Sequence, residues 1–156
     1  MVIEARLAEL GYQLPPPFVY PSSNRRGIVR VGELVFAAGH PPAEVHGVPL
    51  RGKVGREVSE AEGYACARSC ALNILASLKA AIGDLDRIQQ VVKVVGYVNS
   101  APGFERQFAV IDGASDLFLA LWGAQGCHTR SAIGVFELPR GYPCEVEAVF
   151  ALAPER

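Results

Sequence analysis

The stretch His128-Thr-Arg-Ser-Ala-Ile-Gly-Val-Phe-Glu-Leu-Pro-Arg-Gly-Tyr-Pro-Cys-Glu-Val-Glu-Ala-Val-Phe150 decides the fold of this chain. It reads as two strands, Thr129–Glu137 and Cys144–Ala151, joined by a turn over Leu138–Pro143. Pro139, Gly141 and Pro143 cluster in that turn because each imposes or permits backbone torsions that a strand cannot use. Ile133 and Val135 alternate with small or polar neighbours, as do Val146, Ala148 and Phe150, and a period of two predicts one buried face. The opposite face then carries Arg130, Gly134 and Phe136 on one strand and Glu145 and Glu147 on the other. A turn centred on Arg140-Gly141 pairs the strands as a hairpin, with Ile133 facing Ala148 and Val135 facing Val146. Glu145 then faces Phe136, which puts it roughly 20 Å from Arg130 along the ribbon. If the two serve one site, this register draws them from different chains.

Working outward, Gln90–Val98 is the most apolar strand and suits the interior of a sheet. Between it and the terminal pair, Glu105–Trp122 reads as a helix weakened at Gly113. Upstream, Ser59-Glu-Ala-Glu62 has the spacing of a capping box, in which the serine hydroxyl and the glutamate carboxylate each satisfy the other's backbone amide. The helix it opens runs to about Ala81, with Tyr64, Ala67, Ala71, Ile74, Leu75, Leu78 and Ile82 as its buried stripe and Gly83 as its stop. Gly27–Val31 and Leu34–Ala38 form a strand pair about a tight turn at Gly32-Glu33, and Gly39-His-Pro-Pro closes the second strand. Ala43–Lys53 is a polar loop, and Val54-Gly a brief edge strand. Residues 1–24 form an N-terminal helix, Ile3–Leu10, followed by an extended Leu14-Pro-Pro-Pro-Phe arm. The element order predicts a single α+β domain over residues 1–156, a mixed sheet with two helices on one face.

Composition narrows the function. The chain has 156 residues, 50% of them hydrophobic and 20% charged, with a formal net charge of −1. That balance offers no electrostatic footprint for nucleic acid or an anionic membrane. A slightly apolar composition is what an oligomer interface would cover. Charges at Glu4, Arg6 and Glu9 break any apolar leader, and no apolar run reaches membrane-spanning length, so the cytoplasm is the expected compartment.

The Thr129-Arg-Ser-Ala, Glu-Leu-Pro and Glu145-Val-Glu-Ala segments resemble the C-terminal signature of the RidA/YjgF family of imine and enamine deaminases, also labelled endoribonuclease L-PSP. The resemblance spans about Arg25 to Phe150. It implies a chorismate-mutase-like fold and a homotrimer with active sites in clefts between subunits. The implied reaction is cofactor-free hydrolysis of a small carboxylate-bearing metabolite. Arg130 matches the arginine that holds the substrate carboxylate, a task suited to its planar, bidentate fork. Glu145 matches the residue that handles water, and Gly39 would let the backbone approach the ligand. Ser131 and Ala132 follow the arginine, with Ala132 standing where the family has a cysteine.

Other positions depart from the pattern. Arg25 stands where a tyrosine is usual, His40 where a glutamine is usual, and Asp112 where an asparagine is common. A second cation at Arg25 would select a dicarboxylate or a larger anion, whereas a solvated loop arginine would do neither. Tyr20 has the wrong register to replace the missing phenol. These departures keep a non-catalytic carboxylate-binding or sensor protein as the alternative to a deaminase. A ribonuclease would want a more basic surface. His40, His46 and His128 lack metal-ligand spacing, so no metal is expected. The four cysteines, Cys66, Cys70, Cys127 and Cys144, read as packing residues and form no disulfide framework.

Overall fold

A computed structural model describes residues 1–154. Its elements are α1 (Val2–Glu9), β1 (Ile28–Val31), β2 (Leu34–His40), α2 (Glu60–Ile82), β3 (Ile88–Asn99), α3 (Gln107–Trp122), β4 (Thr129–Val135) and β5 (Cys144–Leu152). The five strands form one sheet in the order β1-β2-β5-β3-β4. Only β3 and β4 run parallel; the other pairs are antiparallel. The helices α2 and α3 lie side by side on one face, giving the expected two-layer α+β arrangement.

Local signals are realised as read. Glu62 N–H donates to Ser59 Oγ at 3.1 Å, and Ser59 N–H donates to Glu62 Oε2 at 2.8 Å, which completes the capping box. From there α2 buries Cys66, Cys70, Ile74, Leu75 and Leu78 against the sheet. At 23 residues α2 also has the length and apolar content of a membrane span, contrary to the sequence reading. Since 67% of its most apolar window is buried in the domain, it serves here as the core helix. Gly113 does more than weaken α3. A Cβ there would lie 2.0 Å from the Tyr64 carbonyl oxygen, so its absence allows α2 and α3 to approach closely. Cys66, Cys70 and Cys144 are buried, but Cys127 is exposed and does not pack. β2 extends to His40, two residues beyond its predicted end, before Pro41 and Pro42 stop it.

The terminal hairpin is not formed. β4 and β5 flank β3 on opposite sides, with Arg130 paired to Val94 and Glu145 to Tyr97. The segment β3–α3–β4 is a parallel crossover unit, and a parallel neighbour requires such an intervening helix. The turn at Leu138–Pro143 therefore carries the chain past the end of β3 rather than folding it back on β4.

The faces of β4 are also reversed from the sequence reading. Arg130, Ala132 and Gly134 point to the helix layer, while Ile133 is 45% exposed on the open face. The small residues face inward because α3 packs tightly there: a Cβ on the neighbouring Gly96 would fall 2.3 Å from Ile111 Cδ1. β5 keeps its predicted parity, with Val146, Ala148 and Phe150 buried and Glu145 and Glu147 on the open face.

Candidate active site

On the open face, β2 bulges between Ala37 and His40, so that three residue steps oppose two on β5. The bulge brings Gly39 against Glu145. A Cβ on Gly39 would stand 2.8 Å from Glu145 Cδ and Oε1, so the carboxyl rests where only a glycine leaves room. The N-terminal arm folds over this point. Tyr20 donates its hydroxyl proton to the Gly39 carbonyl at 2.6 Å and stacks edge-on against Phe18, with centroids 4.9 Å apart. The result is a cavity of about 320 Å³ whose lining includes Phe18, Tyr20, Arg25, Gly39, Arg140, Tyr142 and Glu145.

Electrostatics follow from that enclosure. Burial, then the neighbouring Glu147 carboxylate, raises the Glu145 pKa above the usual carboxylate range. Burial and the Glu145 charge push the Tyr20 phenol up to about 12, so it stays protonated and keeps its bond to Gly39. Glu147 accepts the Tyr97 hydroxyl at 2.5 Å, and this bond holds Tyr97 at about 12. A desolvated carboxyl with a raised pKa, set in a cleft, has the character of a proton-transfer group.

A second cluster lies on the helix face at the β4 edge. Arg130 donates from Nη1 to Asp112 Oδ1 at 2.7 Å and to Ser115 Oγ at 3.1 Å, and from Nη2 to the Phe108 carbonyl at 3.4 Å. The His128 ring continues the chain, with Nδ1 2.6 Å from the Gly126 carbonyl and Nε2 2.9 Å from Ser115 Oγ. Nδ1–H donates to that carbonyl, so Nε2 accepts the Ser115 hydroxyl proton while Ser115 Oγ accepts from Arg130. Burial and the Arg130 charge lower the His128 pKa, which suits this neutral tautomer.

The structure thus sorts the predicted residues into two groups. Gly39, Arg25 and Glu145 share the cavity; Arg130 and Asp112 meet each other on the other side of the sheet. With β3 between their strands, Arg130 and Glu145 cannot reach one cavity within a single chain. Ser131 lies exposed on the open face of β4, and Ala132 packs against the core on the helix side. His40 is fully buried and does not line the cavity. Its Nδ1 lies 2.6 Å from the Ala38 carbonyl and its Nε2 2.9 Å from Ser77 Oγ, and burial lowers its pKa.

Sequence reasoning missed Arg140, Tyr142, Ser115 and His128 as site neighbours, and it set Tyr20 aside on register although Tyr20 lines the cavity. The Pro15-Pro-Pro17 run gave the only hint that Phe18 and Tyr20 belong to a stiff arm that could cover something. Arg140 has a structural signature instead: it is the only non-glycine residue with positive φ among the described residues (φ 56°, ψ 12°). That conformation costs an L-residue roughly 1 kcal/mol.

A two-layer α+β domain with a carboxylate-bearing cleft on its open sheet face defines the class. The family model described as "YjgF/chorismate_mutase-like, putative endoribonuclease" matches residues 4–151, and the chain belongs to this family. Protein TCP17 of Trypanosoma cruzi is 40% identical over 151 residues, covering 96% of this chain and 94% of that protein. The crystal structure of an Agrobacterium tumefaciens protein of unknown function superposes with a TM-score of 0.89 at 39% identity, covering 97% of this chain and 94% of the other. A Shewanella oneidensis MR-1 structure bearing the same endoribonuclease label gives 0.91 at 30% identity, covering 97% and 100%.

Proposed function

We propose that the chain hydrolyses 2-imino or enamino acids to 2-oxo acids and ammonia, in clefts between the subunits of a homotrimer. The observation that carries this reading is the Glu145 carboxyl, desolvated and seated on Gly39 in the wall of the cavity. Water attacks the electrophilic carbon of the protonated imine as Glu145 takes one of its protons, which leaves a neutral carbinolamine. Glu145 returns that proton to the nitrogen of the carbinolamine; the C–N bond then breaks as the hydroxyl gives its proton to Glu145 and becomes the carbonyl, and ammonia leaves. Orientation and proton transfer supply the catalysis, and the overall reaction consumes only water. Arg130 of a neighbouring subunit would hold the substrate carboxylate, since its own chain does not bring it to Glu145.

The open face supports self-association. Val29, Val31, Leu34, Phe36 and Ile133 are all exposed there, an uncovered apolar surface flanking the cleft. A second reading, a carboxylate-binding protein without turnover, is favoured by one observation: Asp112 already occupies Nη1 of Arg130. Arg130 keeps its Nε donor, so a ligand carboxylate would share the guanidinium with Asp112.

The test generates 2-imino acids in situ with an amino-acid oxidase. Wild type accelerates imine decay, and Arg130→Ala and Glu145→Gln each abolish the acceleration. No acceleration over several side-chain types would overturn the deaminase reading in favour of binding alone.

A further inference from the structure

We propose that Arg140 and Arg25 form a second anion-binding position in the Glu145 cavity, so that its ligand carries an acidic group at the end remote from its 2-carboxylate. This rests on reading the cavity as the site of a small carboxylate ligand, and it specifies which kind.

The turn between β4 and β5 carries the argument. Gly141 N–H donates to the Leu138 carbonyl at 3.0 Å and Tyr142 N–H to the Pro139 carbonyl at 3.3 Å. Gly52 N–H holds the Gly141 carbonyl at 2.9 Å from the neighbouring loop. These bonds fix Arg140 and Gly141 in consecutive left-handed conformations, with φ 56° and 70°. Glycine meets that requirement without strain at 141, whereas at 140 the chain carries a long cationic side chain in a conformation that glycine or asparagine would adopt more readily. A strained residue of this kind points to a use for its side chain, and Arg140 lines the cavity beside Glu145.

The charge balance agrees. Among the described residues, Arg56, Arg106 and Arg130 each pair with a carboxylate, at 2.7 Å in every case. Neither Arg25 nor Arg140 has such a partner; the Arg25 guanidinium touches only Asn24 Oδ1, at 3.3 Å. Glu145 is the sole acidic residue in the lining, so two arginines and one carboxyl-bearing residue line the cavity. The raised proton affinity of Glu145 shifts the balance further toward positive charge. Phe18, Tyr20 and Tyr142 supply apolar walls between the charged ends. Two arginines without a carboxylate partner beside an aromatic-walled cleft suit a second carboxylate or a phosphate on a short chain.

Stable 2-oxo acids test this by calorimetric binding, independent of turnover. The probes are 2-oxoglutarate for a second carboxylate, 3-phosphohydroxypyruvate for a phosphate, and 2-oxopentanoate as the monoanionic control. Wild type binds at least one of these two doubly acidic probes more tightly than the control, and which one identifies the anionic group. Arg140→Gly reduces that preference about tenfold, the loss expected for one charge-assisted contact. The same variant melts higher than wild type because its turn relaxes, so a loss of preference is not a loss of fold. Arg25→Ala also reduces the preference. The proposal is overturned if wild type shows no preference for either doubly acidic probe, or if Arg140→Gly leaves the preference intact. Imine hydrolysis, measured separately, distinguishes the two readings. A preference that falls in Arg140→Gly while no imine is hydrolysed upholds the second anion position and removes the deaminase activity. Hydrolysis with an unaltered preference does the reverse.

Discussion

Gly39→Ala tests the seating of the Glu145 carboxyl. Gly39 does not have a positive φ, so alanine meets no backbone strain at this position. The added methyl would lie 2.8 Å from Glu145 Cδ and Oε1 and 3.1 Å from Cγ. Ordinary carbon contact begins near 3.4 Å, so the carboxyl must retreat by about 0.6 Å or rotate out of its well. An off-rotamer side chain costs roughly 0.5–1.5 kcal/mol, while replacing glycine stabilises by roughly 0.4–1 kcal/mol through the unfolded chain. The two nearly cancel, and the melting temperature should move by less than about 4 °C. Catalysis has no such compensation. Misplacing a catalytic group by about 1 Å can cost a hundredfold, so a shift near half that distance should lower imine hydrolysis by about tenfold. Calorimetry and the coupled oxidase assay read the two quantities on the same preparation. Full activity in Gly39→Ala would refute the argument, because the position of the carboxyl would then not matter. A large fall in melting temperature would show instead that Gly39 serves the fold.

Two further predictions concern stability. The raised Glu145 pKa means that the folded chain holds this proton more tightly than the unfolded chain. Its contribution to stability is therefore intact below the ordinary glutamate pKa of about 4.3 and is lost as the pH rises through the shifted value. Glu145→Gln should accordingly melt higher than wild type at neutral pH and show no such gain near pH 4; a gain independent of pH would contradict the assigned cause. Gly113→Ala puts a methyl 2.0 Å from the Tyr64 carbonyl oxygen and 3.1 Å from the Arg68 amide nitrogen. Overpacking of this kind costs about 1–3 kcal/mol, so the melting temperature should fall by roughly 3–10 °C. An unchanged or higher value would mean that the helices separate freely.

The sequence was most legible where the causes are local. The Ser59–Glu62 capping box depends on residues three apart, and the Val31–Leu34 turn on two. Both stand as read. The terminal hairpin does not form because topology outranks proximity in sequence. An apolar strand followed by a helix and another strand already described a parallel crossover, which separates β4 from β5 by β3. The face of β4 failed for a packing reason. Side-chain size predicts that the large residues point inward, yet the close approach of α3 over Gly96 and Gly134 leaves room only for small ones, and Ile133 turns outward. Arg130 thereby moved to the helix side, where Asp112 and Ser115 could not be anticipated as its partners. The separation of Arg130 from Glu145 survives with a different cause, an intervening strand in place of a long ribbon. Tyr20 is set aside by register in the sequence, yet the long-range fold of the arm brings it to Gly39, and Arg140 is illegible because a left-handed turn residue leaves no periodic trace.

The central claim is that one working site draws Arg130 from one subunit and Glu145 from another. The most direct measurement mixes inactive Arg130→Ala and Glu145→Gln chains by refolding them together at equal ratio and assays imine hydrolysis. In randomly assembled trimers each site receives an intact Arg130 half the time and an intact Glu145 half the time. Activity should therefore return to about a quarter of the wild-type value. A mixture as inactive as its two components would contradict a site shared between chains.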